Sequence, residues 1–320
     1  DINAELLPWL RQHARRQPWY VFVHYWDPHQ AYNQPEPYRT LHKGGPEPEE
    51  RMIAGRGYRP RWGWTDRLTP QARQKIDLYN GELTYVDNAI RQVLDALRDA
   101  GVYDHTVVAV TADHGEDMEE HNAPFEHREP YETTVGVPLI VKPPRAANLK
   151  PGTRVRGLVG HIDLMPSLLD LAGIETPGGM DGRSWLPLAR GETEAIHDAL
   201  FLTGGATKQD GRWAAPELAI RTASHKFICR GTAAYEPTYT ALDLSNLCAP
   251  PWRGQPGRTL KDKVDFFNSL PRQELYDLRA DPFETVNIAQ KQPEVVAELH
   301  RRLRGFAARN PKRFILETHD

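Results

Sequence analysis

Cysteine is almost missing from this chain: Cys229 and Cys248 are the two in 320 residues. That is too few for a disulfide framework, and a single bridge between them would leave the redox compartment open. No apolar run approaches the length of a membrane span, and no charged-then-apolar leader opens the chain. Charge of one sign is lacking too. With 40 Lys and Arg against 43 Asp and Glu, the net charge of -3 argues against a general nucleic-acid binder or a polybasic membrane-surface protein. Internal repeats and low-complexity tracts are absent. The chain begins at Asp1 and runs almost directly into a helix and an apolar run, the pattern expected of a fragment or a processed chain.

What is present is concentrated between Val107 and Val141. Two β-branched apolar runs, Thr106 to Thr111 and Val135 to Val141, bracket a loop crowded with Asp, Glu and His. Apolar runs of that kind, cut off by polar residues, read as buried strands of a parallel sheet. In open α/β sheets ligands sit outside the carboxyl ends of such strands, where Asp113 and His114 fall. A carboxylate at the rim of an apolar sheet carries a desolvation cost that a divalent cation would offset.

Upstream, Asn3 to Gln17 has helical spacing and stops at Pro18. Trp19 to Trp26 reads as a buried strand delivering Asp27, Pro28 and His29 to its carboxyl end. Residues Ala31 to Pro70 lack a sustained period and read as a long irregular excursion of the kind that carries specificity. Thr69 and Pro70 open the clearest helix, closed by Gly101. Asp163 is expected to cap a short helix, Leu164 to Ala172, before Gly173. From Ala199 short alternating strands take over: Leu200 to Thr203, Leu218 to Arg221, Lys226 to Cys229, Tyr239 to Leu244 and Glu274 to Leu278. A last amphipathic helix covers Pro293 to Phe306. The expected plan is an α/β body over residues 1–198 and a smaller antiparallel α+β subdomain over residues 199–320.

Six segments, HYWDPHQAY, TADHGE, EHREPYETTVGVPLIV, GHIDLMPSLLDLAGI, DGRSW and ELYDLRADPFETVNIA, stand in one order along nearly the whole chain. In that order they resemble the type I sulfatases of the alkaline phosphatase superfamily. The resemblance implies an alkaline phosphatase-like, mostly parallel sheet flanked by helices. It also implies metal-dependent hydrolysis of a sulfated small molecule or saccharide, one divalent metal, usually calcium, and a formylglycine nucleophile made from the cysteine of a C-x-P-S-R motif. Periplasmic or secreted location is a family expectation.

That motif does not occur here; the nearest string, Cys248-Ala249-Pro250-Pro251-Trp252, lacks the arginine. Nor does the paired Asp-Asp that completes the family's metal site. The family carries these features upstream of the segments found here, so the resemblance implies an N-terminally incomplete sulfatase, inactive by itself. A phosphomonoester or phosphonate ester hydrolase of the same superfamily, with another nucleophile, is one alternative. An inactive pseudo-sulfatase that binds anions or partners is another.

Carried over residue by residue, Asp113 and His114 match the family's metal-binding pair. Oxygen ligands suit calcium, whereas the imidazole leaves room for manganese or zinc. His29 matches the histidine that contacts sulfate and protonates the leaving alcohol, a task suited to a near-neutral imidazole. His24, inside the apolar run, reads instead as a core histidine. His127 stands where many members put a Lys or Arg that clamps sulfate oxygens, with Arg128 beside it able to share the task. A histidine there would lose its charge, and so its hold on sulfate, above neutrality. Glu116, Asp117, Glu119 and Glu120 read as a solvated loop. His161 and Asp163 read as structural rather than as a second metal pair. Arg51, Arg56, Arg59, Arg61 and Arg67, interleaved with Trp62 and Trp64, form either a surface for a sulfated sugar or a merely soluble loop.

Overall fold

The structure, a computed structural model, describes residues 2–44, 70–118, 121, 127, 129–204, 207–209, 212–214, 217–230 and 271–309. Helix α1 (Ile2–His13) leads to an irregular segment, and α2 (Tyr38–Leu41) follows. Helix α3 (Pro70–Asp99) is the longest element. Gly101, with φ at +71°, ends it, a left-handed position glycine adopts without steric cost. Leu10 and Ala14 of the first segment bury against Leu97 and Val102, which docks α1 along the end of α3.

Strand β1 (Val108–Thr111) and strand β2 (Leu139–Lys142) are joined by a loop that holds α4 (Glu132–Val135). They pair antiparallel, with Val108 opposite Lys142 and Thr111 opposite Leu139, whereas each run reads in the sequence as a strand of a parallel sheet. The second run is also shorter than expected, since its first residue, Val135, closes α4.

Trp19 to Trp26 takes no regular secondary structure and joins no strand ladder among the described residues. Tyr20, Phe22, His24 and Trp26 alternate on an exposed face, with the three aromatics 66–76% exposed. The expectation of a buried strand fails here because a strand buries both faces only between neighbours, and His24 is accordingly on the surface rather than in a core.

Helices α5 (Leu164–Leu171) and α6 (Leu186–Arg190) follow. Then comes a four-stranded antiparallel sheet built from β3 (Ala199–Gly204), β6 (Glu217–Thr222), β7 (His225–Arg230) and β8 (Gln273–Asp277), in that spatial order. A small hairpin of β4 (Thr207–Gln209) and β5 (Arg212–Ala214) lies between β3 and β6 in the chain. The final helix, α7 (Pro293–Arg309), lays Leu299, Leu303 and Ala307 on Leu218, Ile220, Phe227 and Leu275, one face of the sheet. The opposite face, through Ala219, Ile228 and Tyr276, packs on Tyr131, the residue that caps α4. Period-two alternation thus gives the sheet a helix on one side and the acidic-loop segment on the other. The strand expected at Tyr239 to Leu244 lies outside the described residues.

Candidate active site

Where β1 ends, Asp113 and His114 form a compact turn. The Asp113 carboxylate accepts the His114 backbone N–H at 3.0 Å through one oxygen. Its other oxygen stands 3.6 Å from His114 Nε2. Since the Gly115 carbonyl can only accept, His114 Nδ1–H must donate to it, at 2.8 Å. In the neutral ring this makes Nε2 the nitrogen that carries the lone pair, 3.6 Å from the carboxylate oxygen. A cation is attracted to both of these electron-rich atoms.

Gly115 fixes the turn from behind. Its N–H donates to the Thr134 carbonyl at 2.6 Å, and a Cβ at this position would stand 2.0 Å from the Thr133 carbonyl oxygen. Only glycine lets α4 lie this close. On the other side, His161 Nε2–H donates to the Ala112 carbonyl at 2.8 Å. Asp163 is structural as well, but its carboxylate does not cap Leu164–Leu171: it turns back to accept from Gly160 N–H, capping the single turn before it, and from Arg183 N–H and His197, each within 2.8 Å.

His127 stacks on His114 with ring centres 3.9 Å apart and planes 14° from parallel. His29 meets His127 edge-on at 6.1 Å and leans on Trp26 at 4.6 Å. The His29 Nδ1–H donates to the Gln30 carbonyl at 2.6 Å, which leaves Nε2 as the atom able to exchange a proton with a ligand. Three imidazoles from three separate segments therefore form a row, His29, His127, His114, ending beside Asp113. Arg128, Glu119, Glu120 and the Arg51 to Arg67 set lie outside the described residues.

The solvated-loop reading of the acidic run is corrected for two of its members. Asp117 is fully buried and Glu116 nearly so; Glu116 Oε1 stands 3.6 Å from His127 Nδ1, and Asp117 takes a 3.4 Å hydrogen bond from Thr133. Charge density alone suggested solvent, whereas α4 and the histidines close over these two side chains.

Glu82, on α3, is a residue sequence reasoning passed over. It is fully buried, and its Oε1 accepts the backbone N–H groups of Asn33 and Gln34 at 2.8 and 3.1 Å, holding the loop that follows His29. Burial pushes its carboxyl up to about 7. Its neighbour Leu83, the residue of the apolar stripe at that turn, is 40% exposed, so the helix turns Glu82 inward in its place.

Could the turn hold a metal? Asp113 and His114 supply one oxygen and one imidazole nitrogen converging within 3.6 Å, a donor set that fits a single divalent cation. Two donors are fewer than zinc's four or calcium's six to eight, and no group of three His, Cys, Asp or Glu able to hold a metal occurs among the described residues. The pair fits as part of a coordination shell.

The family model described as Sulfatase matches residues 2–174, more than half of the chain. This chain belongs to the sulfatase family. A second model, N-sulphoglucosamine sulphohydrolase, C-terminal, matches residues 119–244. The sulfatase chain is 25% identical over 316 residues to the N-acetylglucosamine-6-sulfatase of Capra hircus, covering 95% of this chain and 54% of that protein. It is 28% identical over 220 residues to the arylsulfatase K of Xenopus laevis, covering 69% of this chain and 34% of the other. It thus spans about half the length, or less, of these relatives. In fold it is similar to the phosphonate monoester hydrolase SpPMH from Silicibacter pomeroyi, with a TM-score of 0.64, 23% identity, and coverage of 96% of this chain and 58% of that one. Sulfatase membership implies a divalent metal and a formylglycine. The alkaline phosphatase-like α/β architecture expected from the sequence segments is that of this family.

Proposed function

We propose that the protein containing this chain hydrolyses sulfate esters of an amino sugar, with Asp113 and His114 holding one calcium ion and His29 acting as the general acid. The row of three imidazoles ending beside the Asp113 carboxylate carries this reading: it offers hydrogen-bond donors to a tetrahedral oxyanion and one carboxylate to a cation within a few ångströms of each other. The amino-sugar class rests on the relative named N-acetylglucosamine-6-sulfatase and on the match to the sulphoglucosamine model.

When bound, the metal would polarise the ester oxygens and the formylglycine would supply the nucleophile. The nucleophile and the remaining metal ligands belong, in this reading, to a segment outside this chain, which also covers Tyr20, Phe22 and Trp26. The chain's own residues do the following. His127 and Arg128 donate to the non-bridging sulfate oxygens and orient the ester. As the bond from sulfur to the bridging oxygen breaks, the alcohol oxygen gains charge, and His29 Nε2 gives it a proton. The Gln30 carbonyl, holding Nδ1–H, keeps the ring turned so that Nε2 meets that oxygen. Glu82 keeps the loop after His29 in register. The sheet that begins at Ala199 forms a separate subdomain in this reading and bears none of the reacting groups.

The test is release of inorganic sulfate from N-acetylglucosamine 6-sulfate by the intact protein, with an aryl sulfate, an aryl phosphate and an aryl phosphonate run beside it. Sulfate release with calcium retained supports the proposal. Turnover confined to the phosphate or phosphonate would assign the protein to the other branch of the superfamily, and no turnover of any ester would make it a binding protein.

A further inference from the structure

One face of the antiparallel sheet is charged yet buried. On β7 the side chains of Lys226, Ile228 and Arg230 share a face, opposite Glu217 and Ala219 of β6 and Glu274 and Tyr276 of β8. Lys226 is fully buried. Its Nζ lies 2.8 Å from Glu132 Oε1 and 2.9 Å from Glu284 Oε1, while Glu284 Oε2 accepts the Glu132 backbone N–H at 2.5 Å. Arg230 pairs with Glu217 and, at 2.8 Å, with Glu274, and donates to the Tyr131 hydroxyl at 3.0 Å. Tyr131 and Glu132 are the cap and the first residue of α4. Both clusters therefore seize the same short helix.

A four-residue helix has one turn of internal hydrogen bonds and too little packing surface to fix its own position. Its partners do that. Because α4 lies on Gly115 with no room for a Cβ, a shift of α4 by a few tenths of an ångström must move Gly115. The Gly115 carbonyl is the acceptor that orients the His114 ring. A continuous path of contacts thus runs from Lys226 through Glu132, α4 and Gly115 to the Asp113–His114 pair.

We propose that Lys226, with Glu132 and Glu284, is a positioning residue for the metal-binding turn: the sheet sets ligand geometry through α4, although it contributes no group to the reaction. This rests on the reading that Asp113 and His114 hold the metal. Partners that orient metal ligands change affinity by about 10–100-fold when removed. The same range is expected for Lys226→Met, which keeps the length of the side chain and loses its charge.

The experiment measures calcium affinity of the intact protein by titration calorimetry and kcat and KM for sulfate release, with circular dichroism to confirm that each variant is folded at the working temperature. Lys226→Met is expected to weaken calcium at least tenfold and lower kcat, with Lys226→Arg recovering most of both. Glu132→Gln, which retains the backbone N–H to Glu284, gives the same direction should Lys226→Met fail to fold. Asp113→Ala separates the two readings. Loss of metal in Asp113→Ala with unchanged calcium affinity in folded Lys226→Met or Glu132→Gln overturns the positioning role alone. Retention of metal in Asp113→Ala overturns the underlying reading.

Discussion

Replacing Glu284 by glutamine should flatten the pH dependence of stability. Glu284 is 1% exposed, and burial, only partly offset by Lys226, pushes its carboxyl from 4.5 up to about 7. The cause lies in the charge arithmetic of the cluster. Lys226 is shared with Glu132, where burial is outweighed by Lys226 and Arg221, so that Glu132 is held below the usual carboxylate range. One lysine thus keeps one of the two carboxylates charged and leaves the other to take up a proton. Between pH 4.5 and about 7 the folded chain holds a proton on Glu284 that the unfolded chain has released, so this group's contribution to stability is full below 4.5 and is lost as pH rises through about 7. For a single group with these two values, the loss between pH 5 and pH 7 is about 2 kcal/mol. Glu217, buried beside Arg230 and also raised to about 7, adds a second loss of the same sign. Urea unfolding at pH 5, 6 and 7 is the assay. Glu284→Gln lowers stability at every pH by loosening Lys226, but its fall from pH 5 to pH 7 should be smaller than that of the parent chain by about 2 kcal/mol. An equal fall in the two proteins would show that Glu284 is charged in the fold at pH 5, and the assignment of the proton would be wrong.

Two further perturbations probe the site itself. Gly115→Ala puts a methyl 2.0 Å from a backbone oxygen; overpacking of this kind costs about 1–3 kcal/mol, and loss of the bond to Thr134 adds about 1 kcal/mol. Thermal unfolding should show the loss and calorimetry a weakened metal, whereas parent-like values in both would mean α4 yields freely. His127→Ala removes the ring that stacks on His114, so the KM for a sulfate ester should rise. An unchanged KM would remove His127 from the sulfate site.

Much of the candidate site is legible in the sequence because its residues lie at the ends of apolar runs: Asp113 and His114 after β1, and His29 after the aromatic segment Trp19 to Trp26. A run's end is visible in sequence, and so is a helix stop such as Gly101. What binds the far side of that run is not. Tyr20, Phe22 and Trp26 are apolar, but burial depends on neighbours that local pattern does not name. The antiparallel pairing of β1 with β2 is not legible in sequence, because an apolar run carries no sign of parallel or antiparallel pairing. Asp117 and Glu116 were misread because a charge run on paper is ordinarily solvated. Lys226 and Arg230 escaped notice for a similar reason. On an alternating strand the polar face ordinarily meets water, and only the return of residues 131–132 onto that face buries it.

The most direct measurement is made on Asp113→Ala in the intact protein: metal content by elemental analysis together with sulfate release from N-acetylglucosamine 6-sulfate. Loss of the bound calcium and of turnover together, in a protein with parent-like circular dichroism, is the predicted result. Parent-like calcium content and sulfate release in that variant would contradict the assignment of the Asp113–His114 turn as the metal-binding part of a sulfatase site.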